Sequence, residues 1–111
     1  DRLIYCSGAL ADRYAGMGGR VLQAGKPYAP IYERAMRVAR DRLGRDFEKA
    51  RVLAIGDGMR TDVKGGVDFG LDVLFVAGGI HQDEARDPAA FAKFLEKAES
   101  RPKAALDALR W

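Results

Sequence analysis

The sequence predicts an α/β domain built on a mostly parallel sheet. Short apolar runs of strand length alternate with longer segments of helical period. One run, Arg51-Val52-Leu53-Ala54-Ile55-Gly56, is apolar through its middle, as a strand covered on both faces of a parallel sheet is. Glycine and proline punctuate the boundaries between the segments. At 111 residues the chain holds one core rather than two.

Taken in order, Leu3-Ile4-Tyr5 reads as a first short strand, leading into a helix through Ala9, Leu10 and Tyr14 that Gly18-Gly19 ends. Val21 to Ala24 reads as a second strand, stopped by Gly25. Pro27 and Pro30 mark a loop and a helix start, where a missing N–H has no cost. Ile31, Ala35, Val38, Ala39 and Leu43 recur at spacings of three and four and predict the buried stripe of that helix, which Gly44 terminates. The strand through Val52 to Ile55 follows, then a short helix through Val63, Gly66 and Val67 with Gly70 past its end. Val73 to Val76 predicts another buried strand, and Asp87-Pro88 opens a helix with Phe91, Phe94, Leu95 and Ala98 toward the core. After Pro102 a last helical segment is expected, with Leu106 and Leu109 facing inward. The predicted run is β-α-β-α-β-α-β-α, without repeats or a linker.

Composition narrows the functional classes. Hydrophobic residues make up 48% and charged residues 32%, an ordinary globular balance. No apolar run nears the roughly 20 residues that cross a bilayer, so no membrane partner is expected. A single cysteine, Cys6, excludes an intramolecular disulfide, and a reducing, cytoplasmic setting is the expectation. The net charge of +3 and pI near 9.2 raise the question of nucleic acid. However, Asp41 and Asp46 interleave Arg37, Arg40, Arg42 and Arg45, and aromatic residues are not interspersed as a stacking platform requires. Nucleic-acid binding is therefore not expected.

In an open parallel sheet, ligands bind at the carboxyl ends of strands. Two such places carry suitable side chains. The segment Gly56-Asp57-Gly58-Met59-Arg60-Thr61-Asp62 presents Asp57 on a tight turn, where a carboxylate suits Mg²⁺, a hard ion that retains waters and is often completed by substrate phosphate. Asp62 is placed to accept hydrogen bonds or a lysine ammonium around that site. Alternatively, Asp57 is a turn residue and Asp62 a helix cap. The other place is Gly25-Lys26-Pro27, where Lys26 can set a compact positive charge against a phosphoryl group, or simply point into water. Three further signals are set aside. Cys6 and Arg13 are separated by six residues where a cysteine phosphatase needs five, so Cys6 is expected as a partly buried small residue. Gly16-Met17-Gly18-Gly19 and Gly78-Gly79 lack dinucleotide-fingerprint spacing. His81, the only histidine, follows Gly79-Ile80 at a strand's carboxyl end, within reach of substrate or a subunit contact, but is expected as a plain loop residue.

Together, Gly25-Lys26-Pro27-Tyr28-Ala29-Pro30-Ile31-Tyr32 and Ile55-Gly56-Asp57-Gly58-Met59-Arg60-Thr61-Asp62-Val63 resemble motifs three and four of the haloacid-dehalogenase (HAD) superfamily, class IIA. That branch includes sugar-phosphate, nucleotide and pyridoxal-phosphate phosphatases. Cys6-Ser7-Gly8-Ala9-Leu10 is similar to the segment where the branch returns from its cap to its core. The resemblance implies a three-layer α/β/α Rossmann-like core, present here in part as strands three, four and five. Residues 1–19 would end the return segment and 20–111 would form the C-terminal part of the core. It also implies Lys26 as the catalytic lysine contacting the phosphoryl group, Asp57 as the Mg²⁺ ligand, Asp62 in the outer shell, and Gly58 beside the substrate. The substrate would be a small phosphorylated metabolite, hydrolysed through an aspartyl-phosphate.

The family's nucleophile motif, Asp-x-Asp, does not occur in this sequence, nor does a counterpart of the motif-two Ser/Thr. The resemblance thus implies that the missing N-terminal half of the same protein supplies the nucleophile, and that this chain by itself is inactive. A homo-oligomer is a further possible partner, and a non-catalytic phosphate- or Mg²⁺-binding or dimerisation module is the alternative function. In the family's strand order, 5-4-1-2-3, strand three is separated from strand four by the two absent strands, leaving backbone edges unpaired. The native arrangement is therefore expected to need the missing half, supplied by an associated chain, or else the sheet rearranges or swaps. Limited proteolysis with intact-mass mapping tests this, and a compact, monomeric, cooperatively folding chain would contradict it.

Overall fold

A computed structural model of the protein describes residues 5–110. It is an α/β fold with a small parallel sheet of three strands and flanking helices, the partial Rossmann-like core that the sequence predicts. The elements are α1 (Ser7–Gly16), α2 (Ala29–Leu43), β1 (Leu53–Gly56), α3 (Lys64–Asp68), β2 (Asp72–Val76), α4 (Gln82–Ala85), α5 (Pro88–Lys97) and β3 (Ala104–Leu106). A 3₁₀ turn at Lys49–Arg51 leads into β1, and a π-helical turn at Met59–Val63 leads into α3. The sheet order is β1-β2-β3, with Ala54 opposite Val73 and Phe75 opposite Ala105.

Local chemistry sets most boundaries where expected. Pro30 lies in the first turn of α2, and Gly44 closes that helix at φ 61°, a left-handed conformation in which a side chain is strained. Asp87 caps α5 by accepting from the Ala89 N–H at 2.9 Å, with Pro88 as the first helical residue. The core is Met59, Val63, Val73, Phe75 and Ala77, and Val63 and Phe75 are wholly buried. Phe91, Phe94, Leu95 and Ala98 of the α5 segment pack against it, as their spacing predicts.

The sheet and α2 depart from the sequence reading in several places. Leu3 and Ile4, expected in a first strand, lie outside the described residues, and Tyr5 is exposed with no strand assignment. Val21 to Ala24 form no strand, and Leu22 is 90% exposed. A strand is held by its neighbours' N–H and C=O groups, and this segment has no neighbour to pair with among the described residues. β1 is not covered on both faces. Leu53 and Ile55 are half exposed, because β1 is an edge strand and the packed helices cover the face of Ala54, Val73 and Phe75.

The helix expected after Pro102 is strand β3. Its Ala-Leu run has good helix propensity, but the open edge of β2 offers a full ladder. Lys103 N–H donates to the Val73 carbonyl, and the Ala77 and Gly78 N–H groups donate to Leu106 and Asp107, each at 2.8 Å. Leu109 is correspondingly exposed rather than inward. In α2, Ile31, Ala35, Val38 and Leu43 of the predicted buried stripe are exposed, and Ala39 is half buried. Met36 is the buried residue, one turn from Tyr32, whose ring stacks on Phe69 at 5.3 Å. Cys6 is exposed at the start of α1 rather than partly buried. The backbone N–H groups of Ala9 and Gly8 lower its thiol pKa.

Because Phe75 is wholly buried and stacks on Phe91 at 6.1 Å, Phe75→Ala is expected to destabilise the fold by about 3–5 kcal/mol. Urea denaturation checks this, and a loss below about 1 kcal/mol would mean that Phe75 does not anchor the core.

Candidate active site: a lysine and two aspartates at the strand ends

Strand β1 ends at Gly56, and the chain turns through Asp57 and Gly58 into the π-helical turn. That turn brings Asp62 back beneath the strand end. A Cβ at Gly56 would overlap the Asp62 carboxyl group, so only glycine permits this approach. The Asp62 residue is 9% exposed, and a carboxylate at that depth needs partners for its charge. It has two. One oxygen accepts from the Lys26 ammonium at 2.5 Å, and the other accepts from the Gly58 N–H at 3.0 Å. The Gly58 carbonyl in turn accepts from the N–H groups of Asp62 and Val63, at 2.8 and 3.0 Å. Gly58 is thereby the hub of the turn, with its N–H given to Asp62.

Lys26 reaches Asp62 from the loop before α2, across 36 residues of sequence, through a cis Lys26-Pro27 peptide. The hydrogen bond to Asp62 raises the Lys26 pKa, opposed by partial burial and aided by the charges of Asp62 and Asp57. About half of the lysine side chain remains accessible while its ammonium is held by Asp62. Tyr32 stands beside the pair. Burial raises its hydroxyl pKa, and the Asp62 charge adds to the effect.

Asp57 is fixed from a different part of the chain. One of its oxygens accepts from the Ile80 N–H at 3.2 Å, in the loop after β2. Gly79 makes this possible, since a Cβ there would collide with the Asp57 carboxyl group. The second Asp57 oxygen has no protein donor among the described residues. A hard divalent cation fits that oxygen, because Mg²⁺ is commonly held by one or two carboxylates with waters and substrate oxygens completing its shell. The fit is partial. Among the described residues no group of three or more His, Cys, Asp or Glu side chains converges on a metal position, and both Asp62 oxygens are already occupied.

The structure thus joins Lys26 to Asp62 directly, gathers Gly58 into the same network, and places Asp57 near enough for its charge to act on Lys26. Sequence reasoning missed Gly79 and Ile80. Their signal is the Gly-Gly pair that ends a buried strand, at the carboxyl edge where ligands bind. His81 lies in the loop after β2, as expected. The His81 ring packs 4.9 Å from Phe94 and 5.8 Å from Phe75, with Nδ1 3.4 Å from Glu84, and so anchors the loop that holds Asp57.

The raised Lys26 pKa has a definite consequence for stability. The pair's contribution is fully present at neutral pH and is lost as pH rises through the raised lysine value, above its ordinary range. Asp62→Asn removes that contribution. The expected result is a melting temperature below wild type at about pH 8, with the gap narrowing as pH rises through the raised lysine range. A gap that does not change with pH would contradict this role for the pair.

Comparison with known proteins bears on the same residues. The HAD-hydrolase-like family model matches residues 23–110. Among solved structures, a haloacid dehalogenase-like hydrolase from Brucella suis 1330 is 47% identical with a TM-score of 0.75, over 98% of this chain and 39% of that one. A p-nitrophenyl phosphatase from Archaeoglobus fulgidus is 25% identical with a TM-score of 0.65, over 95% of this chain and 37% of that one. A thermostable NPPase double mutant from Geobacillus stearothermophilus, at 24% identity and TM-score 0.63 over 91% of this chain and 34% of that one, shares the fold. No curated protein sequence matches. The chain spans 39% or less of the length of each of these three structures. With its Lys26 and Asp57 loops inside the matched region, the chain belongs to the HAD-like hydrolase family.

Proposed function

We propose that this chain is the lysine- and metal-bearing part of a phosphatase that hydrolyses small phosphate monoesters. The observation that carries the reading is the Lys26–Asp62 pair, with Asp57 held nearby at the carboxyl end of the same sheet. The ammonium of the half-exposed Lys26 side chain faces a phosphoryl group in this reading and stabilises the charge that develops on it. Asp62 holds the ammonium in place, and the ammonium in turn limits the repulsion among Asp62, Asp57 and a phosphate dianion. Asp57 offers one free carboxylate oxygen to Mg²⁺, and Gly58 shapes the rim. The cation, when bound, neutralises charge on the phosphoryl oxygens. The similarity to a p-nitrophenyl phosphatase favours a phosphomonoester as substrate.

The nucleophile, in this reading, is an aspartate in a part of the protein outside this chain, and it forms an aspartyl-phosphate that water hydrolyses. Residues 1–19 then lead back from a cap and 20–111 complete the core. Several observations support a covering partner of this kind. Leu53 and Ile55 stand half exposed on the face of β1 away from the packed helices, and Ile31, Val38 and Leu43 of α2 are exposed as well. Parallel sheets are ordinarily covered on both faces. The radius of gyration, 16.2 Å, also exceeds the about 13 Å of a compact domain of this length.

The test is hydrolysis of an aryl phosphate, with and without Mg²⁺, by this chain and by the complete protein. Activity is expected in the complete protein only. There Asp57→Asn is expected to abolish Mg²⁺-dependent turnover, and Lys26→Ala to lower kcat by about 10²–10³-fold. Full Mg²⁺-dependent turnover in the Asp57→Asn protein would overturn the assignment, and turnover by the isolated chain would place the nucleophile within it.

A further inference from the structure

The Lys26–Asp62 pair joins two loops, and loops do not hold a 2.5 Å contact without support. The support comes from one side chain of α2. The Tyr32 ring lies on Phe69, just past the end of α3, at 5.3 Å and 24° between planes. Its hydroxyl end then reaches Gly65, where a Cβ would overlap it. The same missing Cβ would come within 2.7 Å of the Pro27 Cα and 2.8 Å of the Pro27 carbonyl oxygen. Gly65 is buried, and the Pro27 atoms it meets are backbone, which cannot swing aside as a side chain can. Across this seam the Tyr32 hydroxyl also donates to the Thr61 carbonyl at 3.4 Å.

Tyr32 and Gly65 therefore act at both ends of the ion pair. Pro27 follows Lys26 directly, and Thr61 directly precedes Asp62. Seating the tyrosine on a glycine brings α2 against α3 at a distance that no other residue at position 65 allows. That distance sets the separation of the two loops.

We propose that Tyr32 is a positioning residue for Lys26, and that the bare backbone of Gly65 is the seat that makes its placement possible. The value of that placement for turnover rests on the phosphatase reading above; the seat itself does not. Reacting groups tolerate little displacement, and a shift of about 1 Å caused by a remote substitution can cost about 10²-fold in rate.

Two measurements on the complete protein separate these levels. The first is the ¹⁵N–¹H resonance of the Lys26 ammonium at neutral pH, visible while the group is held in its hydrogen bond. The second is kcat and KM for an aryl phosphate. Gly65→Ala is expected to erase the ammonium signal and to lower kcat at least about tenfold, with KM within about twofold, since the lost placement matters in the transition state. Tyr32→Phe keeps the ring stack but removes the hydroxyl that meets Gly65 and Thr61, and is expected to weaken the signal and to lower kcat by less than Gly65→Ala does. Where Gly65→Ala does not fold, Tyr32→Leu, which removes the aromatic wedge without crowding the seam, is expected to give the same losses. An undiminished Lys26 signal in a folded Gly65→Ala or Tyr32→Leu protein overturns the proposal. A lost signal in a protein with no phosphatase activity even as wild type upholds the positioning role and overturns only the catalytic reading.

Discussion

The buried carboxylate of Asp62 is the constraint on which the rest of the site depends. An aspartate this enclosed is stable only if both oxygens are satisfied, and the two groups that satisfy them come from separate segments. The Gly58 N–H ties it to the end of β1. Lys26 ties it to the loop ahead of α2. Removing Lys26 would leave the buried carboxylate with the Gly58 N–H alone, which costs more than the pair itself contributes. The pair is thus better understood as a device that specifies one arrangement of two loops than as a source of net stability.

Around that anchor, closeness is obtained by leaving side chains out. Gly56 admits the Asp62 carboxyl group, and Gly79 admits Asp57. At each, the backbone meets a carboxylate with no room for a methyl group. Rigid elements stand behind these contacts: β1 and β2 pair in register, and the aromatic group of Phe75, Phe91, Phe94 and His81 steadies the loop that carries Ile80. The same sheet that is well packed on its helix side leaves Leu53 and Ile55 uncovered on the other. The molecule is thus finished at the site's own supports and open along the face and edge of β1.

Much of the architecture was legible residue by residue. Pro30 and Gly44 bracket α2, Asp87-Pro88 opens α5, and the runs at Leu53 and Val73 are strands, because each rests on local stereochemistry or on an apolar run. Lys26, Asp57, Asp62 and Gly58 were legible as a group because they match family motifs. What was not legible depended on neighbours. Val21 to Ala24 has strand composition but no strand beside it, and Ala104 to Leu106 has helical composition but lies along the open edge of β2. The apolar stripe of α2 has the right period, yet α2 buries Met36 on the side of Tyr32.

By itself, then, the sequence determined the α/β class, the boundaries of α2 and α5 written in proline, glycine and aspartate, and the charged residues of the candidate site. These follow from interactions within a few residues of chain, or from motifs that sit side by side in it. Only the tertiary structure decided that Lys26 closes on Asp62, that Ile80 holds Asp57, that Tyr32 is seated on Gly65, and which faces are buried. Those contacts join residues 23 to 36 positions apart. Such contacts exist only once the sheet and helices have brought distant backbone together, and no local pattern encodes their partners.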